Sequence, residues 1–334
     1  MVAIHPCEYK DIATPQNLVA MLYYSVMKIF IVSPNTDTQF NKEQLEKLHQ
    51  AGDITFIKEI KPLEEVTELF AGDEPRILAI DPDYCEWKVP NEVIDAMPNL
   101  QAVCLQTTSF SWVDVEHCKQ KGIPVTNLRG FSSIAVAEWA TMAVLALARR
   151  LPIVIKDNWQ LDYVKHRGFE LRGKTAGIFG LGRIGTAMAE NLAGLGMNVQ
   201  YWSKNSRDDR FTNVSLEELM SSSDVILPGI ANNADTKNIL TDEMVKSIKP
   251  SAVFMNVIHP MNHELLLEMV KSGKLYGYGY EEEGKLQFGY HEGNVWNGPA
   301  LGWCTEESMT KNAQQWVESI VKAAAAEFPT QVNE

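Results

Sequence analysis

Short apolar runs alternate with segments of helical spacing along most of the chain. The runs Lys28–Ser33, Arg76–Ile80 and Ala102–Leu105 are each followed by polar or turn residues, as buried strands are. Asn41–Ala51 and Val115–Lys121 carry apolar residues three positions apart and end before a glycine, which is typical of helices. Strands that alternate with helices in this way indicate right-handed crossovers and a mostly parallel sheet.

A long apolar helix separates two such alternating blocks. Ser132–Arg150 is predicted as one helix, since a serine can cap its start and Pro152 ends its register. The alternation restarts at Thr175, and a helix over Glu306–Ala325 closes the chain. This pattern predicts two α/β domains, with the last helix returning to the first domain.

The composition describes an acidic chain that is long enough for more than one hydrophobic core. Its 334 residues exceed the roughly 250–300 at which chains usually split into domains. Hydrophobic residues make up 45% and charged residues 22%, which does not indicate a long disordered tail. The net charge of −13 argues against a nucleic-acid or anionic-membrane partner, because phosphate binding requires a basic face.

Cysteine usage and the apolar stretches favour a cytoplasmic location. The five cysteines are scattered and form no Cys-x-x-Cys pair, which indicates reduced thiols rather than disulfides or a zinc site. The longest apolar stretch, Ala135–Ile155, contains Glu138 and Arg149, so it is predicted as a buried helix rather than a membrane span. Residues 1–26 carry no secretion signal, and we expect them to be an N-terminal extension ahead of the first strand.

One glycine motif carries the strongest functional signal. An apolar run over Thr175–Phe179 leads directly into Gly180-x-Gly182-x-x-Gly185, which opens a helix. The first glycine permits a tight turn, the second lets backbone approach a pyrophosphate, and the third permits close contact between helix and sheet. The motif therefore predicts a dinucleotide site at a helix N-terminus. Its predicted contacts are Gly180, Gly182, Arg183, Ile184, Gly185 and, after a later strand, Val257.

The end of the following strand indicates which dinucleotide is bound. Proteins that bind NAD place an Asp or Glu there, about 20 residues after the motif, to bind the ribose 2′-hydroxyl. This chain has Ser203 and Lys204 at that place, with Arg207 nearby and no carboxylate before Asp208. A hydroxyl and two cations suit a 2′-phosphate, which a carboxylate would repel. We predict NADP(H) in preference to NAD(H).

Taken together, the motifs resemble the D-isomer-specific 2-hydroxyacid dehydrogenase family, which includes glyoxylate/hydroxypyruvate reductases and phosphoglycerate dehydrogenases. The segments that carry the likeness include Gly122-Ile-Pro-Val-Thr-Asn127, Ala135-Val-Ala-Glu138, Gly180-Leu-Gly-Arg-Ile-Gly185, Gly194-Leu-Gly-Met197 and Lys249-Pro-Ser-Ala-Val253. The resemblance implies two Rossmann-like α/β domains with parallel sheets. A dinucleotide-binding domain over 128–301 is inserted into a flavodoxin-like substrate domain over 27–127 plus 302–334. It also implies a homodimer, with helix 132–150 at the interface.

The resemblance breaks at the residues that perform the family's chemistry. The family grips the substrate carboxylate with an Arg and transfers a proton with a His, which a Glu orients. This chain has His259 at the Arg position and Ala300 at the His position, and the orienting Glu is unassignable beside Glu281–Glu283. An imidazole cannot reproduce a bidentate guanidinium fork, and alanine cannot transfer a proton.

Other groups could take over these roles. The candidate catalytic residues are His259, Tyr280, His291 and Glu282. The candidate substrate-binding residues are Thr107, Thr108 and Ser109, which replace the family's glycine-rich carboxylate loop. We expect no metal, because Pro260 interrupts the pair His259 and His263 and no third ligand is spaced for it.

Two functions remain open from the sequence. The first is an NADP(H)-dependent oxidoreductase of the 2-hydroxyacid dehydrogenase type, which transfers a hydride to or from a carbonyl or hydroxyl group of a small molecule with non-standard catalytic residues. The alternative is a catalytically inactive NAD(P)-binding pseudoenzyme with a regulatory or structural role.

Overall fold

The chain divides into two units, each built on one parallel sheet. In the computed structural model, residues 26–230, 236, 239–257, 262–282 and 291–333 are described. The first unit extends to Arg129 and resumes at Asn312, and the second comprises Gly130–Lys311. The sequence placed these boundaries at 127/128 and 301/302. The expected N-terminal extension lies outside the described residues, apart from Val26.

The first unit contains a five-stranded parallel sheet with the strand order β2-β1-β3-β4-β5. Its strands are β1 (Lys28–Val32), β2 (Asp53–Ile57), β3 (Arg76–Ile80), β4 (Leu100–Leu105) and β5 (Val125–Thr126). Its helices are α1 (Thr36–Gln39), α2 (Lys42–Ala51), α3 (Asn91–Ala96) and α4 (Val115–Gln120). One face of the sheet forms a core through alternate residues, as a strand period of two requires.

The last helix, α11 (Glu306–Ala324), covers the other face of this sheet with its residues beyond 311. Trp316 is fully buried, and its indole Nε1 donates to the carbonyl oxygen of Cys104 at 3.0 Å. Gln106 and Asn312 bond each other at 3.0 Å at the end of β4. The last described residues lie beside β5, where the side-chain oxygen of Asn333 accepts from the backbone N–H of Val125 at 2.9 Å.

The second unit contains a seven-stranded parallel sheet with the order β12-β11-β10-β9-β6-β7-β8. Its strands are β6 (Thr175–Phe179), β7 (Asn198–Trp202), β8 (Thr212–Asn213), β9 (Val225–Pro228), β10 (Val253–Asn256), β11 (Gly277–Glu282) and β12 (Val295–Pro299). Its helices are α5 (Ser133–Ala148), α6 (Leu151–Lys156), α7 (Arg183–Gly194), α8 (Leu216–Ser222), α9 (Asp242–Lys246) and α10 (His263–Lys271). Helices α5 and α7 pack on one face, and α8 and α10 pack on the other. The order reverses between β6 and β9, where such sheets bind ligands.

These two sheets confirm the predicted class of two parallel α/β domains. Helix α5 differs from the expectation at both ends, since it begins at Ser133 and the side chain of Ser132 makes no capping hydrogen bond. The helix predicted over 132–150 ends at Ala148, because Arg150 adopts a left-handed conformation with φ of 56°. Pro152 lies in the first turn of α6, where a missing N–H leaves no helical hydrogen bond unmade.

Gly185 decides how closely α7 approaches β6. A Cβ atom at this position would lie 1.9 Å from the carbonyl oxygen of Gly180. We expect Gly185→Ala to lower the free energy of unfolding by about 1–3 kcal/mol or more, because backbone would have to move. Gly194→Ala in the same helix is the matched control, since a Cβ there meets nothing within 4 Å. It should be neutral or stabilise by about 0.5–1 kcal/mol. Urea unfolding followed by circular dichroism measures both, and equal midpoints would contradict the prediction.

Candidate active site

The turn between β6 and α7 is built from glycine backbone. Gly180 has a φ of 97°, a region that disfavours side chains, and a Cβ there would lie 2.8 Å from the backbone N of Ile230. Gly229, which follows β9, packs against the same turn, since its Cβ would lie 2.7 Å from Cα of Gly185. The motif therefore joins β6, α7 and the end of β9 at the point where the strand order reverses.

The N-terminus of α7 offers backbone donors to a ligand. Gly182 occupies the cap position, and no side chain caps the helix. Gly182 and Arg183 are both exposed, whereas Ile184 is half-buried and packs against the core below. Uncapped N–H groups and the positive end of the helix dipole form an anion site, which suits a pyrophosphate.

The loop after β7 has cationic side chains and a carboxylate that is paired with an arginine. Ser203 is buried, and its Oγ accepts from the backbone N–H of Ser206 at 3.2 Å. Arg207 is exposed, and its Nη1 donates to the carbonyl oxygens of Ser203 and Ser206, both at 2.8 Å. The exposed Lys204 lies beside them in the chain. Thus the predicted serine shapes the loop, while the two cations lie at its surface.

The first carboxylate of this loop is held by a neighbouring arginine. Arg210 Nη2 donates to Asp208 at 2.7 Å, and Arg210 Nη1 donates to Glu190 at 2.8 Å. Hydrogen bonds from Arg210 hold the pKa of Asp208 below its usual value. Asp208 therefore stays ionised and paired with its own cation.

The residues expected after β10 are only partly described. Val257 is half-buried and packs against the core on the α5 face. His259, the principal catalytic candidate, lies outside the described residues, so its role stays a prediction. Glu282 ends β11, and its side chain also lies outside the described part of the chain.

Tyr280 and His291 form a pair on the α10 face of the sheet. Tyr280 is only 4% exposed, and its hydroxyl bonds His291 Nε2 at 2.7 Å. Tyr278 stacks on Tyr280 with centroids 5.1 Å apart, and its own hydroxyl bonds His263 Nδ1 at 2.6 Å. Burial raises the pKa of Tyr278. The structure thus brings together two sequence-predicted residues, but on the α10 face of the sheet, where Tyr280 packs among apolar side chains.

Glu281 is the described ionisable group at the end of β11 that the sequence did not select. Its carboxyl accepts from the backbone N–H of Gly302 at 2.8 Å. Burial raises the pKa of Glu281 to about 7, although hydrogen bonds from the backbone N–H groups of Gly302 and Leu301 oppose this rise. Strand alternation was the signal that could have singled out Glu281, the first glutamate of this run, because it places Glu281 and Tyr280 on opposite faces of the strand.

The hydroxyl-bearing loop lies in the first unit, directly after β4. Thr107 donates its hydroxyl to the carbonyl oxygen of Ser109 at 2.7 Å, and Trp112 Nε1 donates to the same oxygen at 2.9 Å. Thr108 and Ser109 are exposed. Thr107 therefore stabilises the loop itself, while the other two hydroxyls lie at the surface of their unit.

The described part of the chain offers neither a metal site nor a membrane-spanning helix. Within the described ranges, no group of three or more His, Cys, Asp or Glu side chains could hold a metal ion. No helix among the described residues is both long and apolar enough to cross a membrane.

The family model and the relatives that resemble this chain point to the same family of dehydrogenases. The model described as D-isomer specific 2-hydroxyacid dehydrogenase, NAD binding domain, matches residues 141–284. A glyoxylate reductase of Thermococcus litoralis is 28% identical over 266 residues, which are 72% of this chain and 79% of that protein. A glycerate dehydrogenase of Methylorubrum extorquens is 27% identical over 290 residues, which are 81% of this chain and 88% of that protein.

A solved structure agrees with these relatives. An acyclic imino acid reductase (Bsp5) in complex with NADPH and D-Arg has a TM-score of 0.77 at 26% identity, covering 92% of this chain and 99% of that one. The relatives support an oxidoreductase of the 2-hydroxyacid dehydrogenase type with a nicotinamide cofactor. The family model, the relatives and the solved structure together support the D-isomer-specific 2-hydroxyacid dehydrogenase family for this chain.

Proposed function

We propose that the protein is an NADP(H)-dependent oxidoreductase that transfers a hydride between the nicotinamide and a carbonyl or hydroxyl group of a small molecule. The observation that carries this proposal is the glycine turn at the strand-order reversal, which leaves the N-terminus of α7 uncapped for a pyrophosphate. The relatives named glyoxylate reductase and glycerate dehydrogenase support the reaction class. The catalytic groups would differ from the family's Arg and His.

The preference for NADP(H) rests on the loop after β7. Lys204 and Arg207 are exposed there, and the first carboxylate, Asp208, is paired with Arg210. A 2′-phosphate at this place would meet two cations and no free carboxylate at the ribose position. The imino acid reductase with a similar fold, whose structure contains NADPH, also supports this cofactor.

The substrate would differ from the 2-keto acids of the family. Alanine at position 300 offers no proton, and His259 offers no bidentate carboxylate clamp. The exposed hydroxyls of Thr108 and Ser109 suit a neutral group. A second candidate reaction is the reduction of an imine, which the likeness to the imino acid reductase favours.

A homodimer in the cytoplasm is the proposed state of the protein. Helix α5 exposes Ile134, Met142 and Leu145 at 38–55% of their surface, and the segment after α6 exposes Trp159 and Leu161 at 68% and 74%. Large apolar side chains grouped in this way favour a protein interface. Light scattering should give twice the chain mass of 37.5 kDa, whereas a monomer at micromolar concentration would contradict the proposal.

Cofactor preference can be measured directly. We expect NADPH to bind at least about tenfold more tightly than NADH, because charge-assisted phosphate contacts contribute about 1–3 kcal/mol each. Ser203→Asp should move the preference towards NADH, since it places a carboxylate at the ribose position. Titration by tryptophan fluorescence measures both affinities. Asn205→Asp adds the same charge two residues further along the loop and is the control. Equal affinity of the wild type for NADH and NADPH would contradict the prediction.

A substrate screen tests the reaction itself. NADPH oxidation should be slow with glyoxylate, hydroxypyruvate and pyruvate, and faster with a neutral aldehyde, ketone or imine. Losing a positioned general acid typically lowers the rate about 10²–10⁴-fold, and losing the carboxylate clamp removes orientation as well.

His259→Ala should lower turnover of the best substrate by about 100-fold while NADPH affinity is unchanged.

The same screen separates the proposal from its alternative. A reverted double variant, His259→Arg with Ala300→His, should gain activity towards glyoxylate, because it restores two of the family's groups. NADPH binding without turnover of any substrate would instead support the pseudoenzyme. Rapid glyoxylate reduction by the wild type, at roughly 1–10³ s⁻¹, would show that another residue has replaced the missing pair.

A further inference from the structure

The side chain of Glu281 lies on the face of β11 opposite the tyrosine pair. Residues 278 and 280 belong to the α10 face, so alternation places residue 281 on the α5 face. Its partner in the neighbouring strand β12 is Gly298, which has no side chain to cover the carboxyl group. Glu281 is therefore the described carboxyl group at the carboxyl end of β11, the edge where sheets of this kind bind ligands.

The turn after β12 holds the carboxyl group in place. Oε1 of Glu281 accepts from the backbone N–H of Gly302 at 2.8 Å. This turn includes Ala300, the residue that the sequence comparison predicts at the position of the family's proton-transferring histidine. A backbone hydrogen bond thus joins the carboxyl group of Glu281 to the turn that contains Ala300.

The described neighbours of this carboxyl group on α5 and β12 are an indole and a glycine. A Cβ at Gly302 would lie 3.1 Å from both Glu281 Oε1 and Cδ1 of Trp139, so the indole of α5 lies beside the carboxyl group. Burial and the two backbone donors are the causes of its pKa shift, and no charged side chain is among them. From α5 the neighbour is Trp139, and from β12 it is Gly298, neither of which titrates.

A second polar group at this place lacks a partner. The indole N–H of Trp139 is buried and has no acceptor among the described residues. An unsatisfied buried donor costs about 1–3 kcal/mol, so an acceptor atom supplied by a ligand would be favoured there. A donor without an acceptor, next to a carboxyl group, is suited to an oxygen or nitrogen atom of a substrate.

We propose that the carboxyl group of Glu281 is the proton donor of the reduction and takes the role that Ala300 cannot perform. This inference rests on the proposed function. The hydride would pass from NADPH to the carbonyl or imine carbon, and the electron pair of the double bond would move to its oxygen or nitrogen. That atom would take the proton of Glu281, leaving a carboxylate and NADP⁺, and water would return the proton to Glu281.

The other candidates fit this role less well. Tyr280 is almost fully buried, and its hydroxyl already bonds His291 on the α10 face. A group that gains and loses a proton near neutral pH is best suited to acid–base catalysis, and burial brings Glu281 into that range.

Glu281→Gln separates proton transfer from a structural role. The amide keeps an oxygen that can accept from Gly302 N–H, but it carries no acidic proton. With the substrate found by screening, we expect kcat for reduction to fall by about 10²–10⁴-fold with NADPH affinity unchanged. Wild-type kcat should also fall as the pH rises through about 7, where Glu281 loses its proton, and the variant should lack this limb. Glu268→Gln, on the exposed surface of α10, is the control and should change neither.

An infrared titration tests the carboxyl group without turnover. The full chain should show a protonated-carboxyl band that disappears as the pH rises through about 7 and is absent from Glu281→Gln. If this band is missing from the wild type between pH 5 and 6, Glu281 is already ionised and the inference fails. If Glu281→Gln is fully active while Glu281→Ala is not, the carboxyl group only supports the turn. Either result leaves the proposed function intact, whereas NADPH binding without turnover by the wild type overturns both.

Discussion

The close approach of backbone at Gly180, Gly185 and Gly229 is the constraint on which the second unit depends. Three elements meet where any side chain larger than hydrogen would collide with backbone. Their contact fixes the position of α7 on the sheet, and it places uncapped N–H groups at the strand-order reversal. The glycine backbone thus allows the close packing and also positions the N–H groups for the cofactor. Cofactor binding therefore depends directly on this packing.

The pleat of β11 divides the neighbouring chemistry between two faces. Tyr278 and Tyr280 stack beneath α10 and engage two histidines, so their hydroxyl groups are used within the fold. Glu281 faces α5 beside an indole and the turn after β12, where burial favours its protonated form. A shift of one residue along the strand therefore separates a packed aromatic cluster from a group that can exchange a proton.

Cofactor binding and catalysis have separate physical requirements in this protein. Dinucleotide binding relies on backbone geometry, which the glycine motif retains in full. Proton transfer and carboxylate recognition would rely on individual side chains, and the sequence predicts that His259 and Ala300 replace the family's groups for both tasks. Because a site can change on an unchanged fold, likeness to a family supports the architecture and the cofactor class more firmly than the substrate.

The sequence by itself determined the local and repetitive features. Strand–turn–helix order and the glycine spacing are set by near neighbours, so the two parallel sheets and the turn at Gly180 were predictable. Tertiary structure decided what depends on distant residues. Helix 132–150 ends early at the left-handed Arg150, and Tyr280 pairs with His291 only because the chain returns beside β11. Burial raises the pKa of Glu281, and the distant Gly302 holds its carboxyl group through a hydrogen bond, and no local pattern encodes either feature.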